Sequence, residues 1–286
     1  MGCEVKKDIL KANGFEYTYR AAGLDNDGPL VILLHGFPES SFIWIPLLEK
    51  LAAKGYKAFA PNQRGYSDGA RPEGIEPYSV GHLADDVIGF ADALGCDGKF
   101  YLVGHDWGGS VGWAVVNNYP DRVQAYVGMS TPYTPAFMYA MMNDPDQQAK
   151  SFYIRDFQTP VVPEETMAKD DYAWLRNYWA GFDEATIEDY LTIFSQPEAR
   201  TATVNWYRAM FAVKNDFEYT PVELPITYIW GNEDIALGRT GAEMTAQFMK
   251  GYYNFVEMKA GHWLMQFNEP ECSDIIMEHI EKFPMA

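Results

Sequence analysis

One aspartate stands where the sequence pattern calls for a nucleophile. Asp106 lies between Gly104 and Gly108, directly after the apolar run of residues 100–103. This spacing is typical of a nucleophile elbow, a sharp strand-to-helix turn of the form G-x-S-x-G, with aspartate in place of serine. A carboxylate is already anionic near neutral pH and suits attack on a saturated carbon, which produces an alkyl ester of the enzyme. Hydrolysis of that ester then requires a water-activating base and an oxyanion hole.

The base and its acid follow later in the chain, in the order that such an elbow requires. The pair Glu233-Asp234 comes just after a late apolar strand pattern, and His262 follows the last one. We expect His262 to remove a proton from water, and Asp234 to orient its imidazole and stabilise the cation. The position of Asp234 within the motif favours it as the acid that orients the histidine, but Glu233 remains an alternative for that role. The backbone amides of Phe37 and Trp107 are the candidates for the oxyanion hole.

Three alternatives to this assignment arise from the same residues. Ser110 and Ser67 both match G-x-S-x-G literally. Ser110 falls inside the helix that follows the strand, and Ser67 is not followed by a helical pattern, so neither occupies a strand-turn-helix position. Asp106 itself could instead cap the helix that begins after it. Its companions Asp234 and His262 favour the nucleophile.

The elements that must position these residues alternate along the chain. A hairpin is predicted over residues 8–22, with its turn at Asn13-Gly14. Apolar runs predict buried strands at residues 29–34, 56–61, 100–103, 123–129, 226–230 and 253–258. Helical patterns occur at residues 41–53, 79–94, 108–119 and 270–283. Right-handed crossovers would place the strands in one mostly parallel sheet that is covered on both faces, which is an α/β fold.

Residues 134–220 interrupt this alternation. The segment is rich in Trp, Tyr, Phe and Met, and it has helical patterns at residues 171–179 and 199–213. We interpret it as a helical cap inserted into a core made of residues 1–133 and 221–286. Candidates for an apolar pocket, which could equally be cap core, are Phe137, Phe152, Trp179 and Met210.

Composition excludes several classes of protein. The 286 residues carry a formal net charge of -18, which opposes binding to nucleic acid or to anionic membranes. The three cysteines, Cys3, Cys96 and Cys272, form no close pair, so we expect neither a disulfide framework nor a metal site. No apolar run approaches the roughly 18 residues needed to span a bilayer. We therefore expect a soluble, cytoplasmic protein without metal or cofactor, and a homodimer stays open.

Several motifs together resemble the α/β-hydrolase-fold epoxide hydrolases, which are related to the haloalkane dehalogenases. They are the segments 35–38 (HGFP), 104–109 (GHDWGG) and 261–263 (GHW), together with Asp234. In that family two cap tyrosines hydrogen-bond the epoxide oxygen, and one of them belongs to an Asn-Trp-Tyr-Arg segment that matches residues 205–208. The resemblance implies this role for Tyr207, and for Tyr153, which precedes a Phe-Gln pair. It also implies an α/β-hydrolase fold, and a small apolar epoxide and water as substrates.

Two other functions are weighed against epoxide hydrolysis. A haloalkane dehalogenase needs halide-binding donors; Trp107 could be one, but Phe37 stands where many of those enzymes have asparagine. Fluoroacetate dehalogenases have arginines just after the nucleophile, which this chain lacks. A ligand-binding relative with little turnover is disfavoured by the intact set of Asp106, Asp234 and His262. We predict a hydrolase that opens an epoxide to a vicinal diol through an ester on Asp106.

Overall fold

The computed structural model describes residues 4–214 and 217–285, and in that part of the chain eight strands form one sheet. The strands are β1 (Lys6–Ala12), β2 (Phe15–Ala22), β3 (Leu30–Leu34), β4 (Lys57–Pro61), β5 (Phe100–His105), β6 (Val123–Met129), β7 (Ile226–Gly231) and β8 (Tyr253–Met258). Their order is β1-β2-β4-β3-β5-β6-β7-β8. The hairpin strands β1 and β2 pair antiparallel, β2 is also antiparallel to β4, and all pairs from β4 to β8 are parallel.

Helices cover this sheet and form the segment between β6 and β7. They are α1 (Ile45–Ala53), α2 (Val80–Ala93), α3 (Trp107–Asn118), α4 (Thr134–Asn143), α5 (Pro145–Lys150), α6 (Phe152–Asp156), α7 (Val162–Tyr178), α8 (Glu184–Phe194), α9 (Pro197–Ala212), α10 (Arg239–Met244) and α11 (Leu264–Lys282). The helix α1 packs against α11, and α2 packs against α3, while each pair also contacts the sheet. The predicted α/β fold is confirmed.

The buried strands explain why the apolar runs predicted them well. Every residue of β3, β5 and β7 is buried. A parallel strand with helices on both faces has no solvated side, so its sequence is predominantly apolar rather than alternating.

The last helix differs more from prediction: α11 begins at Leu264, six residues before the expected start at Pro270. Non-helical dihedrals at Asn268 break the helix there, which accommodates the proline inside it.

The segment between β6 and β7 is helical from Thr134 to Ala212, and it contains more helices than the two we expected. The predicted helix at residues 171–179 is the second half of α7, which is interrupted by left-handed residues at 170–172. Two tryptophan side chains of this segment hydrogen-bond to loops that follow strands of the sheet. Trp206 donates to the Arg64 carbonyl and Trp179 to the Pro38 carbonyl, each at 3.0 Å. That residues 134–220 form a cap stays our interpretation.

Two further features bear on expectations from composition. In residues 4–214 and 217–285, no helix has both the length and the apolarity that a membrane crossing requires. Cys96 and Cys272 are free thiols, and Cys3 lies outside the described residues.

Candidate active site

The turn between β5 and α3 presents Asp106 in a left-handed backbone conformation, with φ of 52°. The flanking glycines make this turn possible. A Cβ on Gly104 would lie 2.2 Å from the Gly108 carbonyl oxygen, and a Cβ on Gly108 would lie 2.2 Å from the Leu34 oxygen. Any larger residue would force β3, β5 and α3 apart. The Thr131 hydroxyl donates to the Asp106 carbonyl at 2.7 Å and holds the turn from the end of β6.

The carboxylate of Asp106 faces two functional groups. Its Oδ1 accepts a hydrogen bond of 2.8 Å from the Phe37 amide, and its Oδ2 lies 3.5 Å from His262 Nε2. Within the described chain the side chain makes no capping hydrogen bond to α3, so helix capping is not its role here. The second oxyanion candidate, Trp107, is the first residue of α3, where helical amides have no partner within the helix.

The acid beside the histidine is Asp234. Its Oδ2 lies 2.9 Å from His262 Nδ1. The other oxygen, Oδ1, accepts from the amides of Ala236 and Leu237 at 2.7 and 2.9 Å, which fixes the direction of the carboxylate. Asp234 is buried whereas Glu233 is exposed. The structure therefore brings together Asp106, His262 and Asp234, and it leaves Glu233 outside.

The carboxylates of Asp234 and Asp106 favour the charged form of His262. Burial alone would lower the pKa of His262, but the carboxylates of Asp234 and Asp106 raise it well above its usual value. Burial opposes ionisation of Asp234, but His262 and the two loop amides lower the pKa of Asp234 below its ordinary value. The neighbouring carboxylates therefore favour the protonated form of His262.

Two tyrosines from different helices face the same space. Tyr153 lies on α6 and Tyr207 on α9, and both line a cavity of about 50 Å³ together with Asp106 and His262. Their ring centroids are 5.8 Å apart. Burial, with a further contribution from the negative charge of Asp106, raises the pKa of both phenols above the ordinary value. Both hydroxyls are therefore neutral and able to donate near neutral pH.

The space around Asp106 extends in two directions. We call the 50 Å³ space the front cavity; its remaining wall residues are Phe37, Lys150, Trp174, Tyr178, Ile235, Ala236 and Trp263. A rear cavity of about 270 Å³ has a mostly apolar wall that includes Trp107, Phe137, Met138, Trp206 and Met210. A small space of about 30 Å³ shares Asp106, Tyr153 and Tyr207 with the front cavity and Trp107, Phe137 and Met210 with the rear one. Asp106 therefore lies between the two cavities.

Two of the four expected pocket residues lie elsewhere. Phe137 and Met210 line the rear cavity, but Phe152 is 59% exposed and Trp179 is fully buried behind the site. Successive residues of a helix point about 100° apart, so on α6 Tyr153 faces the cavity while Phe152 faces solvent. Trp179 packs against Tyr190 instead, with ring centroids 5.4 Å apart, besides its bond to Pro38.

The two serines that also match G-x-S-x-G lie in different parts of the structure. Ser67 is buried in a turn, where its hydroxyl donates to the Asn62 carbonyl at 2.6 Å and accepts from the Thr18 amide at 2.9 Å. Ser110 lies in the first turns of α3 and lines the rear cavity. Neither serine contacts His262 through a hydrogen bond within the described residues.

Sequence reasoning does not identify the buried ion pair of Glu39 and His105, which lies next to the site. His105 Nδ1 lies 3.0 Å from Glu39 Oε2, and its Nε2 lies 2.9 Å from the His262 carbonyl oxygen. Glu39 also accepts from the Gly36 amide at 2.7 Å and from Gln266 at 2.6 Å. Burial disfavours its charge, but His105 and these donors lower the pKa of Glu39 to about 2. Glu39 directly follows the segment 35–38 and His105 lies inside the segment 104–109, and these positions were the available signal.

Comparison with known proteins agrees with this geometry. A family model described as alpha/beta hydrolase fold matches residues 29–269. The chain is 34% identical to the AB hydrolase superfamily protein YfhM of Bacillus subtilis (strain 168), over 97% of this chain and 98% of that protein. It is 30% identical to epoxide hydrolase 4 of Mus musculus, over 90% of this chain and 74% of that protein.

A solved structure is similar throughout its length. The crystal structure of epoxide hydrolase A from Mycobacterium thermoresistibile aligns with a TM-score of 0.86 and 26% identity, covering 99% of this chain and 100% of that one. Taken with the match over most of the sequence, this likeness shows that the chain belongs to the epoxide hydrolase family of α/β-hydrolase-fold enzymes.

Proposed function

We propose that the protein converts an epoxide to a vicinal diol through a covalent ester on Asp106. The observation that carries this proposal is the presence of Tyr153 and Tyr207 in the wall of the cavity that contains Asp106. A nucleophilic carboxylate alone would serve several displacement reactions. Two neutral phenols beside it suit a leaving group that stays attached and needs a proton, which describes the oxygen of an epoxide.

In the first step the Asp106 carboxylate attacks one carbon of the ring. A new C–O ester bond forms, the ring C–O bond breaks, and the departing oxygen takes a proton from one tyrosine. The second phenol stabilises that oxygen by a hydrogen bond. The products of this step are a hydroxyalkyl ester of Asp106 and a tyrosinate. The Phe37 amide, 2.8 Å from Oδ1, orients the nucleophile before attack.

Formation of the ester changes the basicity of His262. The negative charge of Asp106 is one of the causes that raise the histidine pKa, and esterification removes that charge. The imidazolium then loses its proton more easily, and the tyrosinate accepts it. Both groups are thereby reset, with a neutral phenol and a neutral imidazole oriented by Asp234.

In the second step His262 takes a proton from water as the water oxygen attacks the Asp106 carbonyl carbon. The amides of Phe37 and Trp107 are placed to stabilise the resulting oxyanion. Collapse of the tetrahedral intermediate breaks the ester bond, and the alkoxide that leaves takes the carboxyl proton. The diol departs, and Asp106 is again a carboxylate beside an imidazolium. The sum is epoxide plus water giving diol.

The cavities support an apolar substrate. The rear cavity offers about 270 Å³ with aromatic and aliphatic walls, so one substituent of the epoxide would extend past Trp107 toward Phe137 and Met210.

The cytoplasmic location and the possible homodimer stay predictions from the sequence.

The experiment that tests this proposal is a panel of epoxides and haloalkanes of matched size, with diol and halide measured for each. We expect diol from apolar epoxides and no halide from the haloalkanes. Halide release without diol would replace the proposal with a dehalogenase. Binding of both ligand sets without any product would favour a ligand-binding relative.

A further inference from the structure

A buried glutamine on α5 holds the loop that carries the acid. We define residues 234–238 as the acid loop. Gln147 is fully buried; its Oε1 accepts from the Gly238 amide at 2.7 Å, and its Nε2 donates to the Ala236 carbonyl at 2.8 Å. The same Nε2 donates to the Ser151 hydroxyl, also at 2.8 Å. The side-chain amide thus binds the loop through its acceptor and its donor at once.

The hydrogen bonds of Gln147 and those that orient the Asp234 carboxylate involve the same peptide group. The Leu237 amide donates to Asp234 Oδ1, and the carbonyl of the same peptide unit, that of Ala236, accepts from Gln147. One peptide group therefore lies between Gln147 and the Asp234 carboxylate. Hydrogen bonds at both ends of a peptide polarise it and restrict its rotation. The direction of Asp234 Oδ2 toward His262 depends on this peptide.

A second residue of the same helix supports the other end of the loop. Lys150 Nζ donates to the Asp234 carbonyl at 3.0 Å. Gln147 and Lys150 are three residues apart, so they lie on the same face of α5. The helix therefore contacts the acid loop at its first residue and at its last two peptide groups.

We infer that Gln147 is a positioning residue for the hydrolysis of the Asp106 ester, an inference that rests on the function proposed above. Attack by Asp106 does not need a precisely aimed acid, because that carboxylate is already charged and is held by the Phe37 amide. Hydrolysis does need one, because His262 must keep one tautomer and one orientation while it takes a proton from water. Gln147 acts on this second step through Asp234.

The test measures the two steps separately in Gln147→Ala. Rapid quenching and mass spectrometry follow the ester on Asp106 during one turnover of an apolar epoxide. We expect ester hydrolysis to slow by about 10- to 100-fold, the range typical of a catalytic group displaced by a remote change. Ester formation should stay close to wild type, so the ester accumulates. The matched control is Gln148→Ala, the same change at the next residue, whose exposed side chain donates only to the Met142 carbonyl among the described residues.

A second variant keeps the test decisive if the alanine variant does not fold. Gln147→Glu preserves shape and the acceptor for Gly238, but an ionised carboxylate cannot donate to the Ala236 carbonyl. Hydrolysis alone should slow, and more so as rising pH ionises the introduced carboxyl. An equal loss in both steps, or kinetics identical to those of Gln148→Ala, would overturn the inference. Those results leave wild-type diol formation intact, whereas absence of diol from the wild type would instead refute the proposed function.

Discussion

Asp106 and the two tyrosines solve complementary chemical problems. A carboxylate needs no activation to attack carbon, but it supplies no proton to the oxygen that leaves. In the proposed mechanism Tyr153 and Tyr207 supply that proton and a hydrogen bond, since burial raises the pKa of both phenols and favours their neutral form. In the proposed mechanism the phenols, rather than Asp234 or His262, are responsible for the choice of epoxide over other electrophiles.

Removal of the phenolic hydroxyls tests that division of roles. In Tyr153→Phe and Tyr207→Phe we expect the rate constant for ester formation to fall by about 10- to 100-fold each, since the remaining hydroxyl compensates in part. The double variant should lose about 1,000-fold or more. Single-turnover kinetics with an apolar epoxide provide the measurement, and Tyr139→Phe, at an exposed site on α4, is the control. A double variant no slower than the single ones would contradict the assignment.

One buried ion pair connects the loop after β3, the end of β5 and the loop after β8. Glu39 accepts from the Gly36 amide beside Phe37, while His105, the residue before the nucleophile, bonds the carbonyl of His262. The side chains of both members of the pair have no exposed surface. A buried ion pair that loses one member leaves the other charge uncompensated, which makes such a change costly. The pair therefore helps to fix the relative positions of the Phe37 amide, Asp106 and His262.

Glu39→Gln should accordingly destabilise the protein by about 3 kcal/mol near neutral pH. The folded-state pKa of Glu39, about 2, lies below its ordinary value of 4.5. Its ionised form thus stabilises the fold above pH 4.5, and this contribution is lost as the pH falls toward 2. Urea unfolding of both proteins should show a difference that shrinks on acidification. The control is the exposed Glu49→Gln. A difference that is constant or larger in acid would contradict the charge argument.

Over the whole molecule, local sequence determined what could be predicted. The strands β3, β5, β6 and β7 were predictable because burial on both faces makes the sequence of each predominantly apolar. The elbow was predictable because its geometry depends on a few consecutive residues. Short helices such as α5 and α6 were not, since a single turn or two is stabilised by tertiary contacts rather than by its own pattern.

The same limit applies to the walls of the site. Tyr153 and Phe152 are adjacent aromatic residues, and only the rotation of α6 decides which of them faces the cavity. Gln147 resembles its neighbour Gln148 in sequence, yet one is fully buried against the acid loop and the other is exposed. Glu39 lies in the loop after β3 and His105, 66 residues later in the chain, is the last residue of β5, so their pairing follows from the sheet order.

The most direct test of the central claim is the mass of the peptide that contains Asp106 after His262→Gln is mixed with an apolar epoxide. Without the base the ester should form and persist, so the account predicts a mass increase equal to one epoxide on that peptide. The variant Asp106→Asn should show no increase. Label that fragmentation of this peptide places on Ser110 instead of Asp106, or no label with any epoxide that the wild type converts, would contradict the mechanism.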